Sequence, residues 1–478
     1  MLSPQQFYRR VGFGLTESDN YTDPQNAFDQ LKNTKTVDWD HPMPKVIDGI
    51  KFLVDLKVLE NKFQKEGLGT DALMKHLKEN EIDHDIHRVL LPFRAHNAIH
   101  GPSPVLDRFQ MFWGNHFPVH GKKVSSTTEA YHRITIRENL KGSFANLVKK
   151  VITSEAMMRY LDNIDNIAPD SSYAKKMKRQ GSTDKLGFNE NLGRELLELY
   201  TVSPSAMYTQ EDVENATKIL SGWGGDRKWE KKKGYRGLGD QYFPIVFRKD
   251  SHAKGSKKVL GKTYKGGKKE LFDLIDDLCA KDECATFIAT KLATHFISDN
   301  PSKPAIDHIK AAFKKSKGKL TVIHGATLEA VLKYGEPHQK VTWPEIWFIQ
   351  AMKILDFRLY PLPPFKYIED DFNFVGSTGK PIGYQKYDII LQRLGNNPLE
   401  HGQPNGYSDL SADWLSSELI DRRGIISMFA QKIVKRRDFL KNINFSFPES
   451  KGLREIAEAK MDKNTLVKLM CHRDFIRI

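Results

Sequence analysis

Three cysteines (Cys279, Cys284 and Cys471) in 478 residues are too few for a disulfide framework or a cysteine-built zinc site. Cys279 and Cys284 could pair if their geometry allowed it, and small core thiols are the simpler reading. No run of 18 apolar residues occurs, so no membrane-spanning helix is expected. A Gly-x-Gly-x-x-Gly turn and a Walker loop are both missing, which excludes nucleotide binding through those devices. There is no Gly-x-Ser-x-Gly elbow, since Gly142-Ser143 and Gly255-Ser256 lack its frame. His-Glu-x-x-His is absent too, so any metal site has to be assembled from separated segments. No zinc finger, RNA-recognition signature or clear helix-turn-helix is present, and no internal repeat stands out.

What the chain has in excess is positive charge. The net charge is +14 and the pI about 9.3, a balance that favours polyanionic company or an anionic surface. The excess is clustered at Lys175-Lys176-Met177-Lys178-Arg179, at Lys231-Lys232-Lys233, between Lys254 and Lys269, and at Lys314-Lys315-Ser316-Lys317-Gly318-Lys319. Tyr235, Tyr242 and Tyr264 interleave with these groups, as a stacking surface for nucleic acid would. Lys175, Lys176, Lys178, Arg179, Lys257 and Lys258 are therefore the candidate contacts for a polyanion, either nucleic acid or an acidic polysaccharide. The plainer reading is a set of solvated loops.

Apolar periodicity is helical over most of the length. Hydrophobic residues make up 39% of the chain and there are 27 phenylalanines, enough for a large core. The expected fold is mainly α: a large helical assembly with a small β-hairpin insertion near 224–266. Three helical parts, 1–160, 161–300 and 301–478, are read together as one elaborated domain, the central part carrying the basic and β insertions. Ser3-Pro4 and Thr209 with Asp212 read as helix starts, and Thr342 with Glu345 as a capping box around Pro344. A helix is predicted over 126–139, and the runs 242–247 and 257–264 are predicted to pair as the hairpin. Residues 358–385 read as irregular.

Two segments could carry chemistry. From Asn189 to Tyr200 the chain reads Asn-Glu-Asn-Leu-Gly-Arg-Glu-Leu-Leu-Glu-Leu-Tyr. Helical spacing stacks Asn191, Glu195 and Glu198 in one row beside Arg194, opposite an apolar face. Two carboxylates one turn apart fit an acid/base or metal-binding face, and they also fit a solvated helix surface. In Pro104–Phe117, His116 shares an aromatic stripe with Phe109, Phe112 and Trp113, so its imidazole needs a buried partner. His116 and the Asn191–Glu195–Glu198 row are expected to face a common cavity, with Arg194 paired to Glu198 or Asp162. The candidate catalytic residues are Glu195, Glu198, His116, Arg194 and Asn191. A divalent metal is the candidate cofactor, held by His116, Glu195, Glu198 and His252, with His295 as an outside choice.

Several of these blocks fall in the order of one family. Arg9-Arg10-Val11-Gly12-Phe13-Gly14, Phe112-Trp113-Gly114-Asn115-His116-Phe117, Leu161-Asp162-Asn163, Asn189 to Leu199, Tyr208-Thr209-Gln210-Glu211-Asp212-Val213 and Leu220-Ser221-Gly222-Trp223 match its signatures. The chain resembles the family catalogued as domain of unknown function 1800, a resemblance that carries no established reaction. Gly193 stands where the family usually has alanine, and Ala253 where its His-Asp-x-Gly-x-Lys block has aspartate. A basic insertion, about 171–185, separates the Leu-Asp-Asn block from the Asn-Glu-Asn helix. Many relatives carry an export signal ahead of the first block. Arg9-Arg10 superficially looks like such a signal, but the polar Leu15–Asn20 stretch lacks the apolar segment it needs. A cytoplasmic location is expected for the chain as it stands, and an exported one if an upstream signal has been removed. Two function classes remain open: an enzyme, as a hydrolase or metal-assisted catalyst, and a scaffold or binding protein with a buried polar network.

Overall fold

The computed structural model describes residues 2–37, 45–79, 90–124, 127–181, 186–227, 244–357, 385–430, 436–459, 462 and 464–478. Helices dominate, and the strands among the described residues form two short antiparallel pairs. The apolar faces collect into two clusters. The first is built on helices Phe144–Ile152, Asn191–Glu198, Gln210–Leu220, Lys268–Ala280, Asp282–Phe296 and Leu320–Tyr334. The second gathers Pro344–Ile354 with the helices after residue 384. Helix Pro104–His116 lies between them: Phe109, Phe112 and Trp113 enter the first cluster and Met111 the second.

The paired arginines are structural. Ser3 caps helix Pro4–Val11 in a reciprocal box with Gln6. Arg9 and Arg10 are buried on that helix. Arg9 reaches the Ser446 carbonyl and Glu449. Arg10 donates to the carbonyls of Phe296, Ile297, Glu336 and Ile478, so one guanidinium ties the first helix to the last residue. A planar five-donor group suits such a cluster of acceptors. A second buried pair, Arg94 with Glu345 at 2.9 Å, links helix Leu90–His100 to helix Pro344–Ile354.

Local readings differ from the structure at three places. The 245–247 run pairs with Trp223–Gly225, while Lys257–Val259 turns back on Lys262–Tyr264, so the insertion contains two small ribbons rather than one hairpin. The stretch predicted as one helix over 126–139 passes from a short α-turn (Thr128–Ala130) through a π-helical turn (Tyr131–Ile136) to a 3₁₀ turn (Arg137–Asn139). Its pitch yields to tertiary bonds, because Arg137 pairs with buried Asp107 and with the carbonyls of Thr34 and Lys35. At the third place Trp343, not Thr342, caps helix Pro344–Ile354, and the Thr342 hydroxyl donates to the Ile476 carbonyl. Lys231, Lys232, Lys233, Tyr235, Tyr242 and nearly all of the 358–385 segment lie outside the described residues.

Gly193 has a packing reason. Helices Asn191–Glu198 and Gln210–Leu220 lie so close that a Cβ at 193 would sit 2.5 Å from Thr217 Oγ1 and 3.0 Å from Thr217 N. Gly193→Ala should therefore destabilise by about 1–3 kcal/mol through overpacking, although alanine alone would favour the helix by about 1 kcal/mol. Denaturant midpoints check this, and a gain in stability would mean that the helix pair moves apart freely.

Candidate functional site

Helix Glu155–Tyr160 ends where Asp162 adopts a left-handed conformation (φ 56°). Aspartate tolerates this backbone better than most residues. The turn is fixed from inside: Asn163 Nδ2 donates to the carbonyls of Leu220 and Trp223. Asn166 Nδ2 bonds Asn163 Oδ1 and the Thr217 carbonyl, and Asn166 Oδ1 accepts from the Asn189 amide. These asparagines dock the Leu-Asp-Asn turn against the start of the Asn191–Glu198 helix, and the two together form one wall of a cleft.

The cleft is open, about 450 Å³ in volume, and lined by His120, Lys123, Tyr160, Asp162, Asn191 and the loop at Gly402 and Pro404. Lys123 Nζ pairs with Asp162 at 2.7 Å at the surface. Asn191, one helical turn before Glu195, is exposed at the lip. Glu195 is half-buried, and its carboxyl is pushed up to about 7, first by burial and then by the charge of Glu198, with Arg194 opposing. Glu198 accepts a 2.8 Å hydrogen bond from the Tyr208 hydroxyl. The Tyr160 hydroxyl is buried with no hydrogen-bond partner among the described residues, and burial followed by the charge of Glu195 pushes it up to about 12.

Arg194 bonds neither of its expected partners. It donates to Glu190 at 3.1 Å and to Gln210 at 2.9 Å, about two-fifths exposed, while Asp162 is taken by Lys123. The i,i−4 neighbour wins because Glu190 and Gln210 also hold each other at 3.0 Å.

His116 does not line this cleft. It is 1% exposed, with its ring packed among Phe112, Trp113, Phe117 and Tyr200. Its Nε2 lies 3.3 Å from the Tyr200 carbonyl, and burial holds its pKa well below the usual histidine value. His116 is thus a neutral core imidazole that seats the end of the Asn191–Glu198 helix. Asn115, its neighbour, pins the 406–407 loop by exchanging two hydrogen bonds with Tyr407.

His252 belongs to a different cluster. It is buried with Nε2 2.7 Å from Glu270, and Nδ1 2.7 Å from the Ser221 carbonyl. Lys257 Nζ bonds the same Glu270 at 2.9 Å and the Ala253 carbonyl at 2.7 Å. Lys257 is therefore a buried structural cation and not a polyanion contact; Lys258, the next residue, is exposed. Alternation along the Lys257–Val259 strand explains the split. His295 is held by Asp409 at 2.6 Å. Among the described residues, no three His, Cys, Asp or Glu side chains gather as a metal site, so the four proposed ligands are not brought together. Lys175, Lys176, Lys178 and Arg179 are all exposed on helix Ser172–Arg179.

Tyr160, Lys123 and Tyr208 were missed as site residues. Tyr160 precedes the Leu-Asp-Asn block and Tyr208 opens the Tyr-Thr-x-x-Asp-Val block, so the motif borders held that signal; Lys123 had none.

The model of the family described as a protein of unknown function (DUF1800) matches residues 6–474, and the chain belongs to that family. No curated protein and no solved structure matches it.

Proposed function

We propose that this protein is a hydrolase whose proton-transferring group is Glu195, acting at the cleft lined by Tyr160, Asp162 and Asn191. One arrangement carries the reading: a half-buried carboxyl, poised near neutrality by burial and by Glu198, lies one helical turn beyond Asn191 of the cleft wall, and its charge acts on the buried hydroxyl of Tyr160, which lines the same cleft. A catalytic carboxyl works best when its pKa lies near the operating pH. Ionised, Glu195 takes a proton from a water molecule as the water oxygen attacks an electrophilic substrate carbon. It then returns that proton to the departing group. Asn191 offers a carboxamide at the lip to orient substrate, and Lys123 places a cation beside Asp162. Tyr208, through its bond to Glu198, keeps the second carboxylate in place and its charge near Glu195. His116 and His252 take no part in this chemistry. Turnover of a responsive substrate should follow a single ionisation near pH 7, and Glu198→Gln should move that limb to lower pH by removing the second charge. A limb unmoved by Glu198→Gln would detach Glu195 from the reaction.

A second reading rests on the exposed row Lys175, Lys176, Lys178 and Arg179, for which no carboxylate partner exists among the described residues. If this row grips a polyanion, heparin affinity falls steeply with salt and falls again on charge reversal of the four. Retention unchanged by the reversal leaves the row a solvated helix face.

A further inference from the structure

On another face, a pocket of about 440 Å³ opens between the helices Phe144–Ile152, Lys268–Ala280 and Lys303–Lys315. Its floor is apolar: the buried rings of Phe144 and Phe313 lie opposite Ala285 and the thiol-bearing Cys279. Burial first, and then the neighbouring Cys284 thiol, raise the Cys279 thiol, so the sulfur stays protonated and behaves as a small apolar group. The mouth is cationic. Lys281, Lys314 and Lys317 border it. Lys314 shares Asp282 with Lys310, at 2.6 and 2.5 Å. Asp276, the acidic residue at the rim, is neutralised by Lys149 at 2.6 Å. Lys281 and Lys317 have no carboxylate partner among the described residues. Lys281 is also the N-cap residue of the 15-residue helix Asp282–Phe296, whose first turn carries Asp282 and Glu283.

An apolar floor of this size under two unpaired ammonium groups is complementary to one class of ligand. We propose that the pocket between Phe144, Phe313 and Ala285 binds an amphipathic monoanion, an acyl carboxylate, with its chain on the floor and its head at Lys281 and Lys317. The volume lies in the range of small-molecule sites, and burial of a chain supplies the driving force while the lysines select the charge. The site is separate from the Glu195 cleft, and the two proposals stand or fall independently.

The test is calorimetric titration of the full chain with dodecanoate below its micellar concentration. Saturable one-to-one binding is expected, weakened at least about 10-fold by Lys281→Glu with Lys317→Glu, since each 1.4 kcal/mol lost is a factor of ten. Ala145→Trp, at a half-buried position on the pocket wall, should fill the pocket and block binding, with the denaturant midpoint of the variant checking that it folds. Dodecyltrimethylammonium, with the same chain and the opposite charge, should not bind. The proposal is overturned if dodecanoate gives no saturable binding, if the cation binds equally well, or if neither variant weakens the complex. Co-sedimentation with phosphatidylglycerol vesicles in the absence of dodecanoate binding would assign the lysines to a membrane surface and overturn it as well.

Discussion

Glu195→Gln should abolish turnover and at the same time make the protein more stable above neutrality. The activity loss expected for removing a general acid/base is about 10²–10⁴-fold. The gain in stability follows from the raised carboxyl. A carboxyl whose pKa is higher folded than unfolded contributes stability that is full below the unfolded pKa and is lost as pH rises through the folded one. For Glu195 that window runs from the ordinary glutamate range, about 4.3, to about 7. Parent and variant should therefore unfold alike at pH 4, while at pH 8 the variant leads by about 1–2 kcal/mol, a figure reduced for the solvent that reaches this half-buried group. A glutamate held there for structure alone behaves in the opposite way, because its replacement leaves its partners unsatisfied. Among the described residues Glu195 has no carboxylate-stabilising hydrogen bond of the kind that Tyr208 gives Glu198, and its neighbour's charge opposes its own. Strain of this sort at a cleft is the usual cost of a working group. Denaturation at both pH values, together with turnover of a panel of esters, amides and glycosides, checks the two halves. A variant less stable than the parent at pH 8 would return Glu195 to the scaffold.

Arg10→Ala should cost about 3–5 kcal/mol, a large fraction of the 5–15 kcal/mol that holds a typical domain together. The guanidinium is fully buried, and burial, followed by the charge of Arg9, lowers it to about 9. Its acceptors are main-chain oxygens of residues 296, 297, 336 and 478, and all four lose their donor when it is removed. Arg10→Lys should recover only part of the loss, since an ammonium cannot span acceptors on residues 296, 297, 336 and 478 with a planar fork. Equal denaturant midpoints for parent and Arg10→Ala would show that the first helix is not clamped to the end of the chain.

The helices were legible because their apolar stripes and caps are local. Ser3 caps the helix that Pro4 opens, and Thr209 with Asp212 caps the helix that follows it, as read from the local sequence. The polar row Asn191–Glu195–Glu198 was legible for the same reason. What the sequence could not show was set at long range. Thr342 looks like a cap, yet its hydroxyl bonds a carbonyl 134 residues away. His116 shares an aromatic stripe, and whether a buried imidazole meets a cleft or a carbonyl depends on the helix that crosses it, here at Tyr200. Lys257 and Lys258 read alike as lysines in a basic stretch, and only the strand's facing direction and Glu270 send one inward. The departure at position 193 was visible as an unfavourable helix residue, and its cause, the approach of Thr217, belongs to the packing of a second helix.

The protonation of Glu195, on which the proposed chemistry depends most, can be measured without a substrate. With carboxyl-¹³C-labelled glutamate, assigned by Glu195→Gln, the Glu195 resonance should titrate with a midpoint near 7 in the parent and at a lower pH in Glu198→Gln. A midpoint in the ordinary glutamate range in the parent, unmoved by neutralising Glu198, would contradict that chemistry.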